Sequence, residues 1–253
     1  MIKVVIIGSG NLAFHLTNEC LKSNAINLVQ VYSRNIENIE YLKSKTSITH
    51  NLKNLKEADI YIIAVSDNAI ADVSSQLMLQ NKLVVHTSGA IGLNELKSQS
   101  NKGVFYPLQS FSKSKKIDFT TIPICIEAEN KKDLKILEKL AKLVSNKVYY
   151  ISSDQRKSLH VSAVFVNNFV NHMYYIGNEI CNSNNIPFEI LAPLINETSK
   201  KIESLTPFEA QTGPAKRNDT KTIEEHLSSL NKNQQDIYKL ITKSIQELYG
   251  KKL

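Results

Sequence analysis

Six residues near the start of the chain have the types and spacing to hold a phosphate. Gly8-Ser9-Gly10-Asn11-Leu12-Ala13 follows an apolar run at 3–7 and opens a helical pattern at 11–22. This is the G-x-G-x-x-G/A fingerprint in the strand-to-helix setting that gives it meaning. Gly8 allows a tight turn, Gly10 lets a pyrophosphate approach the backbone, and Ala13 permits close helix–strand packing. Unpaired N–H groups at the helix start, including those of Asn11 and Leu12, favour an anion there. The second apolar run ends Val31-Tyr32-Ser33-Arg34-Asn35. A site for NAD usually carries an acid at this point to bind the ribose hydroxyls. None is present. A hydroxyl at Ser33 and a guanidinium at Arg34 suit a 2′-phosphate, which favours NADP, with NAD as the alternative.

Three further strand ends could line a ligand site, since ligands in open α/β sheets bind beyond the carboxyl ends of the strands. Val65-Ser66-Asp67 is expected to wall the cofactor. His86-Thr87-Ser88-Gly89 offers an imidazole and two hydroxyls, so His86 and Ser88 are candidate substrate contacts. Tyr106-Pro107-Leu108-Gln109-Ser110 supplies Pro107 to the cofactor side. Each segment could also do no more than cap a strand.

A helix expected over 154–181 has an uneven polar face. At 100° per residue, Leu159, Ala163, Val166, Val170, Met173 and Gly177 form an apolar stripe. The other side carries Lys157, His160, Asn167, Asn168, Asn171 and Tyr175. A solvated face in this Lys-rich chain should carry Lys and Glu, so uncharged hydrogen-bonding groups point to a protein-lined cleft or a subunit interface. Lys157 and His160, one turn apart, could act as acid, base or oxyanion stabiliser. Asn168 is placed with them in the catalytic set, and Asn167 and Asn171 with the substrate. The loop at 211–220 adds Lys216 and Arg217 ahead of a helix capped by Asp219 or Thr220. Arg217 could grip an anionic group.

These residues need elements to hold them. Strands are expected at 3–7, 28–33, 59–65, 83–86, 103–106, 122–127 and 148–151, separated by segments with helical spacing. After residue 152 only helices are expected, at 154–181, 187–204, 220–230 and 234–249. The reading is an α/β Rossmann domain with a doubly wound parallel sheet at 1–152, then an all-α substrate and dimerisation domain at 153–253.

Composition narrows the function classes. The chain has 253 residues, ample for a sizeable core. Its formal net charge of +7 comes from dispersed lysines without interleaved aromatics, so nucleic-acid binding is not expected. No stretch reads as a membrane span, because 158–178 carries two His and several Asn. The start lacks a signal-peptide layout, so a cytoplasmic location is expected. Cys20, Cys125 and Cys181 lack metal or redox spacing, and no metal is expected.

Gly8 to Ala13, Ser33-Arg34, the strand ends at 65–67 and 86–89, Tyr106-Pro107-Leu108-Gln109-Ser110-Phe111, and Thr212-Gly213-Pro214 through Asp219 together resemble an uncharacterised bacterial family. In that family a Rossmann-like domain precedes a helical domain of unknown function. More distantly, the arrangement is similar to pyrroline-5-carboxylate reductase and the 6-phosphogluconate dehydrogenase-like superfamily. The resemblance implies NAD(P) as cofactor, an active site between the two domains, and a homodimer through the helical domain. Members acting on β-hydroxyacids have a catalytic Lys followed by Asn four positions later. Lys157 could match the Lys, but Val161 stands at the Asn position. The expected activity is NADP-dependent hydride transfer to or from a small carbonyl, imine or hydroxy acid. The alternative is a non-catalytic nucleotide sensor or interaction protein on the same fold.

Overall fold

Short runs rich in β-branched residues set the strands of the first unit. Val4 to Ile7, Ile60 to Ile63 and Leu83 to Val85 are buried throughout, as central strands covered on both faces must be. The computed structural model describes residues 1–250. Its strands are β1 (Ile2–Ile7), β2 (Ile26–Tyr32), β3 (Ser47–Thr49), β4 (Ile60–Ile63), β5 (Leu83–His86), β6 (Asn101–Pro107), β7 (Ile124–Ala128) and β8 (Val148–Tyr150). They form one sheet in the order β3-β2-β1-β4-β5-β6-β7-β8. The helices are α1 (Asn11–Lys22), α2 (Asp67–Ser75) and α3 (Lys131–Val144), followed by α4 (Ser153–Ala163). Alternate strand residues feed two cores. Val4, Ile6, Ile60 and Ile62 pack with Leu16 of α1 and Leu137 of α3 on one face. Val5, Ile7, Tyr61 and Ile63 pack with Ile70 and Val73 of α2 on the other.

The sheet is not parallel throughout. β6 pairs with β7 antiparallel, with Phe105 opposite Ile126, while every other pair is parallel. The connection at 108–123 holds only a single 3-10 turn, Phe119–Thr121. It lacks the crossover helix that a parallel connection normally uses. The three-residue β3 was not expected from the sequence, being too short to show a period.

The helical run expected at 154–181 also differs. After α4 come a π-helical stretch, Val164–Phe169, and then α5 (Val170–Ser183). Each π turn takes in one more residue than an α turn, so a face drawn at 100° per residue loses phase. Val166, expected on the apolar stripe, is 74% exposed.

The chain divides into units Met1–Phe165 and Val166–Leu253, so α4 belongs with the sheet. The expected boundary at 152 would have separated them, and 251–253 lie outside the described residues. The second unit contains α5, α6 (Ala192–Lys201), α7 (Pro207–Ala210), α8 (Pro214–Arg217), α9 (Thr220–Ser228) and α10 (Lys232–Tyr249). Among its described residues the buried apolar side chains are Cys181 and Ala215. No helix among the described residues is long and apolar enough to cross a membrane.

The turn after β1 depends on Gly8. Its φ is +142°, and a Cβ there would lie 2.1 Å from the Ala64 carbonyl oxygen. Gly8→Ala is therefore expected to cost about 3 kcal/mol or more, from strain and overlap against backbone. Gly10→Ala, at an unstrained φ with open space around the new methyl, should stay within about 1 kcal/mol of the parent. Urea midpoints measure both, and equal midpoints would refute this account of the turn.

Candidate functional site

The phosphate turn opens α1 with Gly10 as its N-cap. No side chain caps the helix, and no acid stands in its first turn. The N–H groups at the helix start are thus left to an anion. Gly8 is pinned on both sides: its N–H donates to the Tyr32 carbonyl at 2.9 Å, and the Ala64 N–H donates to the Ile7 carbonyl at 2.8 Å. Nothing lies within 4 Å of a Cβ built on Gly10, so the backbone there is open to a ligand. A cleft of about 530 Å³ runs from this turn to the end of β2. Gly8, Ser9, Gly10, Asn11, Leu12, Ser33, Arg34, Val65 and Ser66 all line it. The Ser9 and Ser33 hydroxyls are 2.9 Å apart, which ties the turn to the end of β2. Arg34 is exposed beside them. Pro107 is buried at the end of β6 and does not line this cleft.

Lys157 and His160 lie over one turn, at 89–92. A Cβ on Gly92 would be 3.9 Å from Lys157 Nζ, and a Cβ on Gly89 would be 2.6 Å from His160 Nδ1. The same Gly89 methyl would sit 2.8 Å from Tyr106 Oη. The Tyr106 hydroxyl and His160 Nδ1 are hydrogen-bonded at 3.2 Å, with the rings edge to face. Burial first, then the neighbouring Cys125 and Asp67, push the Tyr106 phenol up to about 12. It is a proton-bearing hydroxyl at any physiological pH.

Beneath this pair is an ion pair that the sequence reading missed. Arg156 is wholly enclosed. Its guanidinium donates to the Ser88 carbonyl at 3.2 Å, to the Ile91 carbonyl at 2.6 Å and to Glu127 at 2.5 Å. Glu127 also accepts from the Ser153 N–H and hydroxyl, at 2.9 and 2.8 Å. The first turn of α4 is thereby fixed to the end of β7 and to the 88–91 backbone. One signal was present: Glu127 is a lone acid at the end of an otherwise apolar strand.

His86 and Ser88 are placed differently from the expectation of substrate contact. His86 has no exposed surface, and its Nδ1 accepts from the Ser88 N–H at 3.2 Å. Ser88 Oγ accepts from the Ala90 and Ile91 N–H groups at 3.1 and 3.0 Å. Both side chains shape the turn on which Lys157 and His160 rest. In the second unit, Asn167, Asn168 and Asn171 are exposed. Arg217 is exposed at the end of α8, while Lys216 Nζ is folded back to the Gln211 carbonyl at 2.8 Å. No cluster of three or more His, Cys, Asp or Glu suited to a metal occurs among the described residues.

Known proteins resemble the chain over its whole length. Residues 3–89 match the family described as NADP oxidoreductase, coenzyme F420-dependent. Residues 122–245 match a domain of unknown function, DUF2520. The crystal structure of BF3122 from Bacteroides fragilis, assigned as an NADP oxidoreductase, is 40% identical. It covers 97% of this chain and 98% of that one, with a TM-score of 0.88. TM1727 from Thermotoga maritima is 22% identical, with 98% of each chain covered and a TM-score of 0.75. A reductive aminase from Aspergillus terreus, solved with NADPH and ethyl levulinate, is 13% identical. There 99% of this chain and 95% of that one are covered, with a TM-score of 0.73. These last two show a shared fold. No curated protein matches.

Enclosure gives His86 a signature in stability. Burial, and next the Arg156 guanidinium, push its imidazole down to about 4 from an ordinary 6.5. Between those values the unfolded chain binds a proton that the native chain does not, so stability falls as pH falls. About 2 kcal/mol should be lost from this group between pH 7 and pH 5. Urea unfolding at the two pH values measures it. His86→Gln should flatten the slope even if it lowers the stability at pH 7. An unchanged slope in the variant would refute the assignment.

Proposed function

Because the chain belongs to the family of the Bacteroides fragilis protein BF3122, we propose that it is an NADP-dependent oxidoreductase that moves hydride to or from a small carbonyl, imine or hydroxy acid. The observation that carries this reading is the open Gly10 backbone at an uncapped helix start, joined through Ser9 and Ser33 to an exposed Arg34. The turn takes the pyrophosphate, and Ser33 and Arg34 take the 2′-phosphate. The bound nicotinamide supplies or accepts the hydride. All other chemistry falls to side chains of the chain.

Lys157 and His160 are the catalytic pair. An ammonium and an imidazole over one turn stabilise negative charge on a substrate oxygen or nitrogen and supply the proton that completes reduction. Asn168 joins them, Asn167 and Asn171 orient the substrate, and Arg217 holds an anionic tail; these four assignments rest on the sequence. His86 and Ser88 act by holding the turn beneath the pair. The identity of the substrate is open to a panel of carbonyls, imines and hydroxy acids. Coenzyme F420 belongs in that panel, because the match over 3–89 names it.

The second unit supports a homodimer. Ile190, Leu194 and Ile202 are more than half exposed, as are Leu240 and Leu248 of α10. An exposed apolar surface on a unit with so small a core calls for a covering partner. A second copy supplies one without any further protein.

Two measurements test these statements. Lys157→Ala should abolish turnover on the panel while the Kd for NADPH stays within about twofold, since uniform binding is untouched. Full turnover in the variant would remove Lys157 from the mechanism. In light scattering the protein should run at twice the chain mass, and Leu240→Asp with Leu248→Asp should run as a monomer. A wild-type monomer would refute the dimer.

A further inference from the structure

We propose that Tyr106 is a positioning residue that holds the neutral His160 imidazole as its Nε2–H tautomer, so that His160 presents a hydrogen-bond donor to the substrate. Tyr106 is 9% exposed. Among the described residues, His160 Nδ1 is the one hydrogen-bond partner of Tyr106 Oη, at 3.2 Å. A mostly buried hydroxyl whose proton finds no acceptor loses hydrogen-bond energy that solvent does not fully restore. If Nδ1 carried the imidazole proton, Tyr106 Oη would accept it, and the phenol's own proton would have no protein acceptor among the described residues. With the proton on Nε2, Nδ1 has a lone pair for the phenol and the bond is satisfied. The tautomer of a histidine is set in this way by the bond its other nitrogen makes.

The surroundings enforce the pairing. Gly89 lies under the contact, where a methyl would come within 2.6 Å of Nδ1 and 2.8 Å of Oη. The phenol, pushed up to about 12 by its burial, keeps its proton and remains a donor. Tyr106 is carried by β6 and His160 by α4, whose first turn is locked by Arg156 and Glu127. Both partners thus stand on elements with fixed positions. No bond to Nε2 occurs among the described residues, so that nitrogen is left to a ligand. The division of labour follows. His160 polarises the substrate oxygen or nitrogen as a neutral donor, and the Lys157 ammonium gives up the proton.

The tautomer itself stands apart from the proposed reaction, while its effect on rate rests on the oxidoreductase reading. The test therefore has two readouts. Full-length protein labelled with ¹⁵N in its histidine rings is followed by long-range ¹H–¹⁵N correlation in mildly alkaline buffer. The His160 signals are identified by their loss in His160→Gln. The wild type should show the Nε2–H pattern alone. Tyr106→Phe, which removes only the hydroxyl, should show a mixture of both tautomers. Gly89→Ala, which drives the pair apart, should do the same. A wild-type Nδ1–H pattern, or an unchanged pattern in Tyr106→Phe, would overturn the proposal even if Gly89→Ala fails to fold. On any substrate that turns over, Tyr106→Phe should lower kcat by about 10- to 100-fold, as loss of an orienting partner does, with the Kd for NADPH unchanged. If no substrate is found but the tautomer shifts, the oxidoreductase reading is the one that fails.

Discussion

A guanidinium without solvent exposure anchors the first turn of α4. Arg156 cannot remain charged inside the protein unless its donors are satisfied, and here Glu127 and the carbonyls of Ser88 and Ile91 satisfy them. Breaking such a pair by removing one partner costs about 3–5 kcal/mol, because the other charge is left buried. The same bonds fix the geometry of neighbours that carry the proposed chemistry. Lys157 follows Arg156 directly in the chain, and His160 lies one turn further along. The turn at 89–92 beneath them is held from below by Arg156 and from within by Ser88. A hydrophobic replacement could fill the volume. It would not point donors both at the end of β7 and at two carbonyls of the 88–91 turn.

The cofactor side follows a different rule. There the essential feature is absence: no side chain at Gly8, where Ala64 backbone leaves no room, and none at Gly10, where the space is open. The first absence lets the chain turn tightly between β2 and β4. The second leaves backbone N–H groups facing a cleft. Positive charge enters only through Arg34, the one cation among the described residues lining the cleft. A neutral turn with a cation at one end is arranged for an extended anion with phosphates at both places, as NADP is.

Much of this was legible in the sequence, and the reasons are specific. The phosphate turn could be read because its constraint is local: each glycine is required by its own backbone neighbours. The fully buried strands could be read because burial on both faces demands continuous apolar runs. The antiparallel β6–β7 pair could not, since apolar content carries no direction. The π-helical stretch at 164–169 defeated the face drawn through Val166, because a fixed angle per residue assumes regular α geometry. Arg156 and Glu127 lie far apart in the chain, and nothing local to either announces the other. His86 was expected at a ligand because it ends a strand on the ligand side. The sequence did not reveal that the 88–91 turn closes over it. Tyr106 stood in a quoted segment, yet only its distance to His160 gives it a role.

The central claim is that the turn at Gly8–Ala13 and the Ser33-Arg34 pair bind NADP. A fluorescence titration of the purified protein with NADPH and with NADH tests it most directly. The account predicts micromolar binding of NADPH, about tenfold or more tighter than NADH, as charge-assisted bonds to the 2′-phosphate require. Arg34→Ala should bring the two affinities together. Binding of neither nucleotide, or equal binding of both by the wild type, would contradict it.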